Sequence, residues 1–487
     1  MKITPQSSLL FKNEKRRRFF FRSFVTYLTM SMKRIVFLCV LLVFNMGIRA
    51  TAQEIPDPSF SMNGYGRGVV FGGGTAYSLA SVFSELSLQT SVTKSSALLE
   101  TDIRFRTGMY FNERKTELQI RELYAGYKSQ KFDAFLGNQI VTWGRTEGFS
   151  PTNNITPDDF FFLSPDPNDQ KLSNFMLKMN YRPALGVGLE LVVIPFYKMS
   201  RYRFDLFDMF DMSGSDWGGF DQFDMSNIID FGEDMVPEKI LANGSYAARA
   251  DVDFSAFGGS VSWFRGYDPY HGFDVVSVNW STGKPVIRIA SMPYLKTSIG
   301  ADLDVPIGSL MIFKAEAAYN HTRNPNNKIF IPNPDISYVV GLETSLWGCM
   351  ILGQYIGKYT FDYTSLSEPQ MPSEASAMEL LQYAEEMIDY ETRLFNRKVF
   401  NQQERTNHAL FLTVTRMFAY DVITAECTAY YNLTSNEWFV RPKLSWRVSD
   451  AFMASVGGNY MRGKDKTLYS YSSSLMNGAF AELKVIF

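Results

Sequence analysis

Histidine and cysteine are scarce in this sequence, with three of each among 487 residues. Cys39, Cys349 and Cys427 lie far apart, which excludes a disulfide framework or a cysteine-rich metal cluster. His271, His321 and His408 sit in no nucleophile motif. No catalytic residue, cofactor or metal site is therefore expected, and the chain does not read as an enzyme. Long apolar runs are missing too. A helical membrane protein shows several stretches of about 18–20 apolar residues, and here a single candidate lies near the N-terminus. Charged residues make up 20% of the chain and mean hydropathy is -0.12. Aromatic surface is what the chain has in excess: 41 Phe and 26 Tyr help bring the aromatic share to 15%. Such a chain is rich in rings without being oily on average.

The one apolar stretch begins at Met32. Lys33 and Arg34 form a positive start, Ile35 to Phe44 an apolar segment, and Ala50-Thr51-Ala52 the small residues a signal peptidase reads. It is too short for a membrane anchor and lacks a stop-transfer flank. Residues 32–52 are expected to be a signal peptide, 1–31 an upstream extension or a misassigned start, and 53–487 the mature chain. Without residues 1–52, 38 Lys and Arg face 49 Asp and Glu, a net charge near -11. Such an acidic chain has no electrostatic footprint for nucleic acid.

The dominant period of the mature chain is two. Over 98–109, Leu99, Thr101, Ile103, Phe105, Thr107 and Met109 share one face, and Glu100, Asp102, Arg104 and Arg106 the other. The same alternation sets Ala248, Ala250 and Val252 against Arg249, Asp251 and Asp253, and Phe313, Ala315 and Ala317 against Lys314 and Glu316. In 438–447, Trp438 and Trp446 bracket Val440 to Leu444, opposite Arg441 and Lys443. Strands of a soluble sandwich are mostly about five or six residues long; these alternating runs are roughly twice that, the length that crosses a bilayer at a tilt. The expected fold is all-β, a transmembrane antiparallel barrel of about 18 strands, with 16 as the alternative count.

Connections support this. Tight turns are expected near 92–95, 128–131, 182–186, 256–259, 304–308, 347–350, 418–421 and 448–450. Long loops are expected near 145–170, 199–243, 266–291, 322–335, 363–404 and 463–474. Short turns belong to the periplasmic side and long loops to the outside. The run Ala479, Ala481, Leu483, Val485 and Phe487 forms a last lipid-facing strand that ends on an aromatic residue. This looks like the signal read by the barrel-assembly machinery, an expected partner through Phe487. Lipid of the outer membrane is the other expected partner, and the bacterial outer membrane the expected location. Within 373–400, the capping box Ser376-x-x-Glu379 and apolar residues at helical spacing predict a helix of about five turns. It either plugs the lumen or lies on the outer surface.

Alternation points Glu100, Asp102, Arg104, Arg106, Arg121, Arg249, Asp251, Asp253, Lys314, Glu316, Glu343, Arg441 and Lys443 into the interior. Charges facing inward require either water or dense pairing. The reading is then a polar conduit or a laced, plugged barrel. Loop residues Trp143, Arg145, Asp158, Asp159, Asp166, Asp169, Phe207, Phe210 and Trp217 are candidates for a constriction or for substrate contact. The most distinctive stretch is 139–172, with Gln139-Ile140-Val141-Thr142-Trp143-Gly144-Arg145, Ser150-Pro151-Thr152-Asn153-Asn154-Ile155-Thr156-Pro157-Asp158-Asp159 and Asp166-Pro167-Asn168-Asp169-Gln170. Its prolines and Asn/Asp residues argue for a loop of defined shape.

This stretch, with the hairpin that follows through Pro195, resembles an uncharacterised family of large bacterial outer-membrane β-barrel (porin-like) proteins. That family carries a G-x-Q-x-V-x-W-G-R strand end, an N-P-x-x-N-x-x-P-x-D stretch and a D-x-D-Q element. Here Ser150-Pro151 replaces Asn-Pro, and Asn138 precedes Gln139. The resemblance implies outer-membrane transport, in some members beside an inner-membrane exporter of the resistance-nodulation-division type, with periplasmic or inner-membrane exporter components as partners. Three functional classes follow. The chain is a channel for a small or lipid-like solute, a surface-binding or adhesion barrel whose loops hold a partner, or, with least support, an outer-membrane hydrolase.

Overall fold

The structure is a computed structural model and describes residues 59–206, 229–279, 286–371 and 376–487. The expected extension and signal peptide lie outside these residues, as do Phe207, Phe210 and Trp217. The chain forms β1 (Ser59–Gly72), β2 (Leu79–Lys94), β3 (Ala97–Tyr110), β4 (Glu113–Lys128), β5 (Phe132–Gln139), β6 (Asn174–Ala184) and β7 (Val187–Ile194). It continues with β8 (Ile229–Phe231), β9 (Ser245–Asp253), β10 (Gly258–Tyr267), β11 (Gly272–Asn279), β12 (Val286–Met292), β13 (Leu295–Ile307) and β14 (Met311–Thr322). The last third holds β15 (Asp335–Leu346), β16 (Cys349–Thr360), α1 (Ala377–Val399), β17 (Thr406–Phe418), β18 (Ile423–Asn432), β19 (Glu437–Arg447), β20 (Phe452–Arg462), α2 (Leu468–Met476) and β21 (Gly478–Ile486).

Eighteen of these strands form one antiparallel sheet that closes on itself, because β1 pairs with both β2 and β21. The closing seam is tied at its end by the terminal residue. Phe487 N–H donates to Gly64 O at 3.0 Å, Gly64 N–H donates back to Phe487 O at 2.9 Å, and the Phe487 ring lies where a Cβ on residue 64 would be. Closure leaves no open edge, which is what a sheet surrounded by hydrocarbon requires.

Local chemistry fixes the register. The two-residue turn Trp347-Gly348 has φ of 52° and 74°, the mirror-image turn whose twist matches paired strands. Between β3 and β4 one extra residue is accommodated where Asp102 faces Glu122 and Ile103 faces Ile120, so Arg121 is the bulge residue. The polarity of the two faces is the reverse of a soluble barrel. Arg67, Glu85, Asp102, Arg104 and Glu482 are buried inside, whereas Leu86, Phe105, Val261, Ile299, Leu412 and Leu483 are exposed outside. Only lipid makes that outer surface stable, since exposed apolar area costs about 25 cal/mol per Å² in water.

All eight expected tight turns occur, on one rim. Six connections at the other rim are long, as expected, while those after β1, β3 and β18 are short. Within the long loop expected near 266–291, β11 and β12 form a hairpin that does not join the barrel sheet, with β8 parallel to β12. The predicted helix is present as α1, and its capping box is complete. It is not a simple surface helix. Tyr383, Ala384, Met387, Ile388 and Phe395 are buried in an apolar cluster with Phe161, Leu163, Phe273, Ile287 and Leu475, and with Phe71, Ala80 and Phe480 of the barrel wall. Asn396 fastens it to β11, accepting from Phe273 N–H and donating to Phe273 O, each at 2.8 Å. A second helix, α2, was not expected: its run Tyr-Ser-Tyr-Ser-Ser-Ser reads as loop because serine competes for backbone hydrogen bonds.

Candidate lumen constriction

The connection from β5 to β6, residues 140–173, folds into the barrel and is held there by two separate sets of contacts. Its first turn packs on the inner wall. Val141, Trp143 and Ile155 form a buried cluster with Met176, Val192, Ile194, Ala247 and Phe264 of β6, β7, β9 and β10. Trp143 Nε1–H donates to Glu190 Oε1 at 2.7 Å. Gly144 then takes φ of +103°, and a Cβ there would meet Ser150 Oγ and both carboxylate oxygens of Glu316. Only glycine fits.

Glu316, on β14, is the post to which this arm is tied. Its Oε2 accepts from the Thr146 hydroxyl at 2.7 Å and from the Arg145 and Thr146 amides at 3.2 and 3.3 Å. Its Oε1 accepts from the Ser150 and Thr152 hydroxyls at 2.5 and 2.6 Å and from the Thr152 amide at 2.8 Å. Beside it the Arg145 guanidinium meets three carboxylates, Asp302 at 2.8 Å and Asp253 and Asp304 at 2.6 Å. The tip of the arm reaches β17, where Gly148 lies against the Phe411 ring.

The second arm, 159–171, is bound to the wall built from β1 to β4. Phe162 packs with Val69 and Phe83, and the Arg106 guanidinium lies 3.9 Å from its ring centroid. Asp169 receives Arg104 at 2.8 Å and Arg67 at 2.9 Å, and the Ser164 hydroxyl donates to it at 2.5 Å. Burial alone would raise its carboxyl, but Arg67, Ser164 and Arg104 hold it well below the usual carboxylate range. Arg121 donates to the carbonyls of Asn168 and Lys171 at 2.6 and 3.2 Å, and Arg441 on β19 donates to Ser164 O at 2.8 Å.

The inward-facing candidates therefore divide. Asp102, Arg104, Arg106 and Arg121 are committed to the network around Asp169 and Glu85. Glu316, Arg249, Asp253 and Lys314 belong to the opposite anchor, where Arg249 lies 3.6 Å from Asp302 and Lys314 pairs with Glu343 at 2.7 Å. Glu100 accepts from Ser91 at 2.6 Å. Asp251 sits against Gly188, and Arg441 and Lys443 are on β19. Among the loop candidates, Trp143, Arg145 and Asp169 hold the loop in place. Asp158 accepts from the Tyr270 hydroxyl at 2.8 Å, Asp159 lies 3.5 Å from Arg201, and Asp166 caps the short 3-10 turn at 167–170. Between the Gly148–Phe411 contact and the Ser164–Arg441 contact lies the inner face of β17 to β19, with Thr413, Thr428, Glu426 and Lys443.

Arg67 escaped the sequence reading. It stands in a glycine-rich strand whose alternation is weak, and only its spacing from Tyr65, Val69 and Phe71 marks it as inward. The histidines do not assemble: His321 on β14 and His408 on β17 are outward-facing with two strands between them, about 14 Å.

Above the constriction, the outer loops form a packed cap with its own titratable centre. His271 is 2% exposed, its ring edge-on to Tyr202 and Phe273 at 5.0 and 5.1 Å. Burial pushes its pKa down to about 4, against the weaker pull of Asp234 and Asp268. The released ring titrates near 6.5. Between these values the folded cap binds fewer protons, so its stability is complete above about pH 6.5 and is lost as pH falls toward 4, by roughly 3 kcal/mol at most. Asp158 and Asp159, raised by burial, act with the opposite sign. Amide exchange across 200–206 and 268–279, corrected for intrinsic rate, is expected to quicken from pH 7 to pH 5, and His271→Phe to abolish that change. Equal behaviour of the two proteins would remove His271 as its source.

A closed antiparallel barrel with an apolar outside and a charged inside is a transmembrane β-barrel of the bacterial outer membrane. No protein-family model matches the chain, and no curated protein is similar to it in sequence. Solved structures with a similar fold include OccK5 (OpdH) of Pseudomonas aeruginosa, at 8% identity and TM-score 0.47, covering 90% of this chain and 99% of that one. OccAB3 of Acinetobacter baumannii matches at 10% identity and TM-score 0.48, covering 88% of this chain and 98% of the other. The outer membrane protein OpdK from Pseudomonas aeruginosa matches at 7% identity and TM-score 0.48, with the same coverage. The likeness concerns barrel architecture only.

Proposed function

We propose that the chain is an outer-membrane channel that moves a small or lipid-like solute past a constriction formed by residues 140–173. The observation that carries this reading is the double anchorage of that loop within the lumen, on Glu316 and on Arg67 with Arg104. A surface-binding barrel has no need to hold a loop inside itself with buried charge. Solute would pass beside the inner face of β17 to β19, where Glu426, Arg441 and Lys443 supply charge of both signs. Assembly through the C-terminal strand ending at Phe487, and contact with a periplasmic or inner-membrane exporter, are part of the same proposal. Planar-bilayer recording provides the test. Discrete conductance steps are expected from the full protein, with larger steps after excision of 199–243 and 373–400. A trace that stays closed in both proteins would overturn the channel.

A further inference from the structure

The outer wall carries a row of cationic and ionisable groups that the lumen does not use. Register places Arg265 of β10 opposite Thr297 of β13, and Thr297 opposite His321 of β14. All three point outward, because their neighbours Phe264, Gly266, Lys296, Ser298 and Thr322 are the buried, inward members of each alternation. Arg323 follows directly after β14. Arg265 Nη1–H donates to Thr297 Oγ1 at 3.4 Å. Arg265, His321 and Arg323 are exposed. Among the described residues neither guanidinium forms an ion pair, which is also true of Arg114, Arg397, Arg405, Arg416, Arg441, Arg447 and Arg462.

Arg265 and Arg323 are separated by β13, about 10 Å between strand axes, a gap that an anion can bridge between two long side chains. Their height on the wall limits what that anion is. β10 and β14 run up to the rim that bears the long loops, and just below the row Trp263, Ile299 and Tyr319 begin the lipid-facing surface. The row thus lies where headgroups of the outer leaflet meet water.

We propose that Arg265, Thr297, His321 and Arg323 form a binding site for the phosphate of an outer-leaflet lipid. Two guanidinium forks and a hydroxyl match the several acceptor oxygens of a phosphate monoester, which a single lysine would meet only as a point charge. The acyl chains of such a lipid continue down the apolar wall already in contact with the membrane, so its occupancy extends an existing interface rather than requiring a new one. The site is independent of the lumen and of what passes through it.

Native mass spectrometry of the full chain in detergent, with diphosphoryl lipid A and with its dephosphorylated counterpart, tests the assignment. The protein is expected to retain the phosphorylated lipid about tenfold or more over the dephosphorylated one. Arg265→Gln with Arg323→Gln is expected to abolish that preference while the heat-dependent gel shift of the folded barrel persists. Inorganic phosphate at the lipid's concentration is expected not to displace it. An undiminished preference in the double variant overturns the site, as does no preference in the unmodified protein. Displacement by inorganic phosphate would make it a free-anion site and overturn the lipid. Should the double variant fail to fold, Arg265→Lys with Arg323→Lys replaces it: the preference is expected to fall, because point charges replace the two forks, and an undiminished preference overturns the site.

Discussion

Glu316→Ala is expected to convert a steady channel conductance into a flickering one. Glu316 is 2% exposed and is the common acceptor for three hydroxyls and three amides of residues 145–152. Hydrogen bonds to a charged group contribute about 1.5–3 kcal/mol each, and donors left buried without a partner cost about 1–3 kcal/mol. Water in the lumen will satisfy some of the freed donors, so the net loss of anchoring is on the order of 3 kcal/mol rather than the sum. That shifts the balance between docked and released arm by roughly a hundredfold. The arm is otherwise held by Arg145 on its three carboxylates, which prevents complete escape. The expected trace is therefore frequent partial closures and openings about an altered mean. Glu316→Gln keeps the shape and part of the acceptor capacity, and should fall between the two. Unchanged single-channel noise in the alanine variant would show that 145–152 does not set the constriction.

Such a prediction required the structure, and the reason lies in how the two layers are encoded. Strand alternation is local: Glu100 to Arg106 announce their inward face within a few residues, and a one-residue slip would put four charges into lipid. The strand count, the turns and the inward direction of Glu316 were legible for that reason. Which inward charge meets which loop residue was not. Glu316 and Ser150 are separated by 166 positions, and Arg67 and Glu482 by 415. No periodicity carries pairings of that range. The motif at 139–172 marked the right segment, but Arg145 and Asp169 read as constriction or substrate-contact candidates because charged side chains serve binding and anchoring equally well, and Thr146, Ser150 and Thr152 carried no signal of their own. Only the position of Glu316 and Arg67 shows that Thr146, Ser150, Thr152 and Asp169 face the wall. The cap was less legible still. The segment 266–291 reads as a long external loop, whereas its Phe273, Ile287 and Ile289 pack with α1 in a separate sheet.

The largest loss of stability is expected from Arg67→Met. The Arg67 guanidinium lies between Glu85 at 2.6 Å, Asp169 at 2.9 Å and Glu482 at 3.2 Å, and the residue is 6% exposed. Glu85 keeps Arg106 and Asp169 keeps Arg104 when Arg67 is removed. Glu482 keeps no cation among the described ion pairs. Removing one member of a buried set of charges costs about 3–5 kcal/mol, chiefly because the survivors remain desolvated. Arg67→Lys should recover little of it, since one ammonium cannot address three carboxylates from three directions. Arg67→Met combined with Glu482→Met should recover more, because the stranded charge is gone and the second methionine fills its place. Urea unfolding of the protein in lipid vesicles, followed by tryptophan fluorescence, measures each step, with a lower midpoint for the single variant and partial return for the double. An unfolding free energy for Arg67→Met within about 1 kcal/mol of the unmodified protein would mean that water reaches Glu85 and Glu482 freely. The wall of β1 to β4 would then be part of the conduit itself, and the solute path would have to be moved there from β17 to β19.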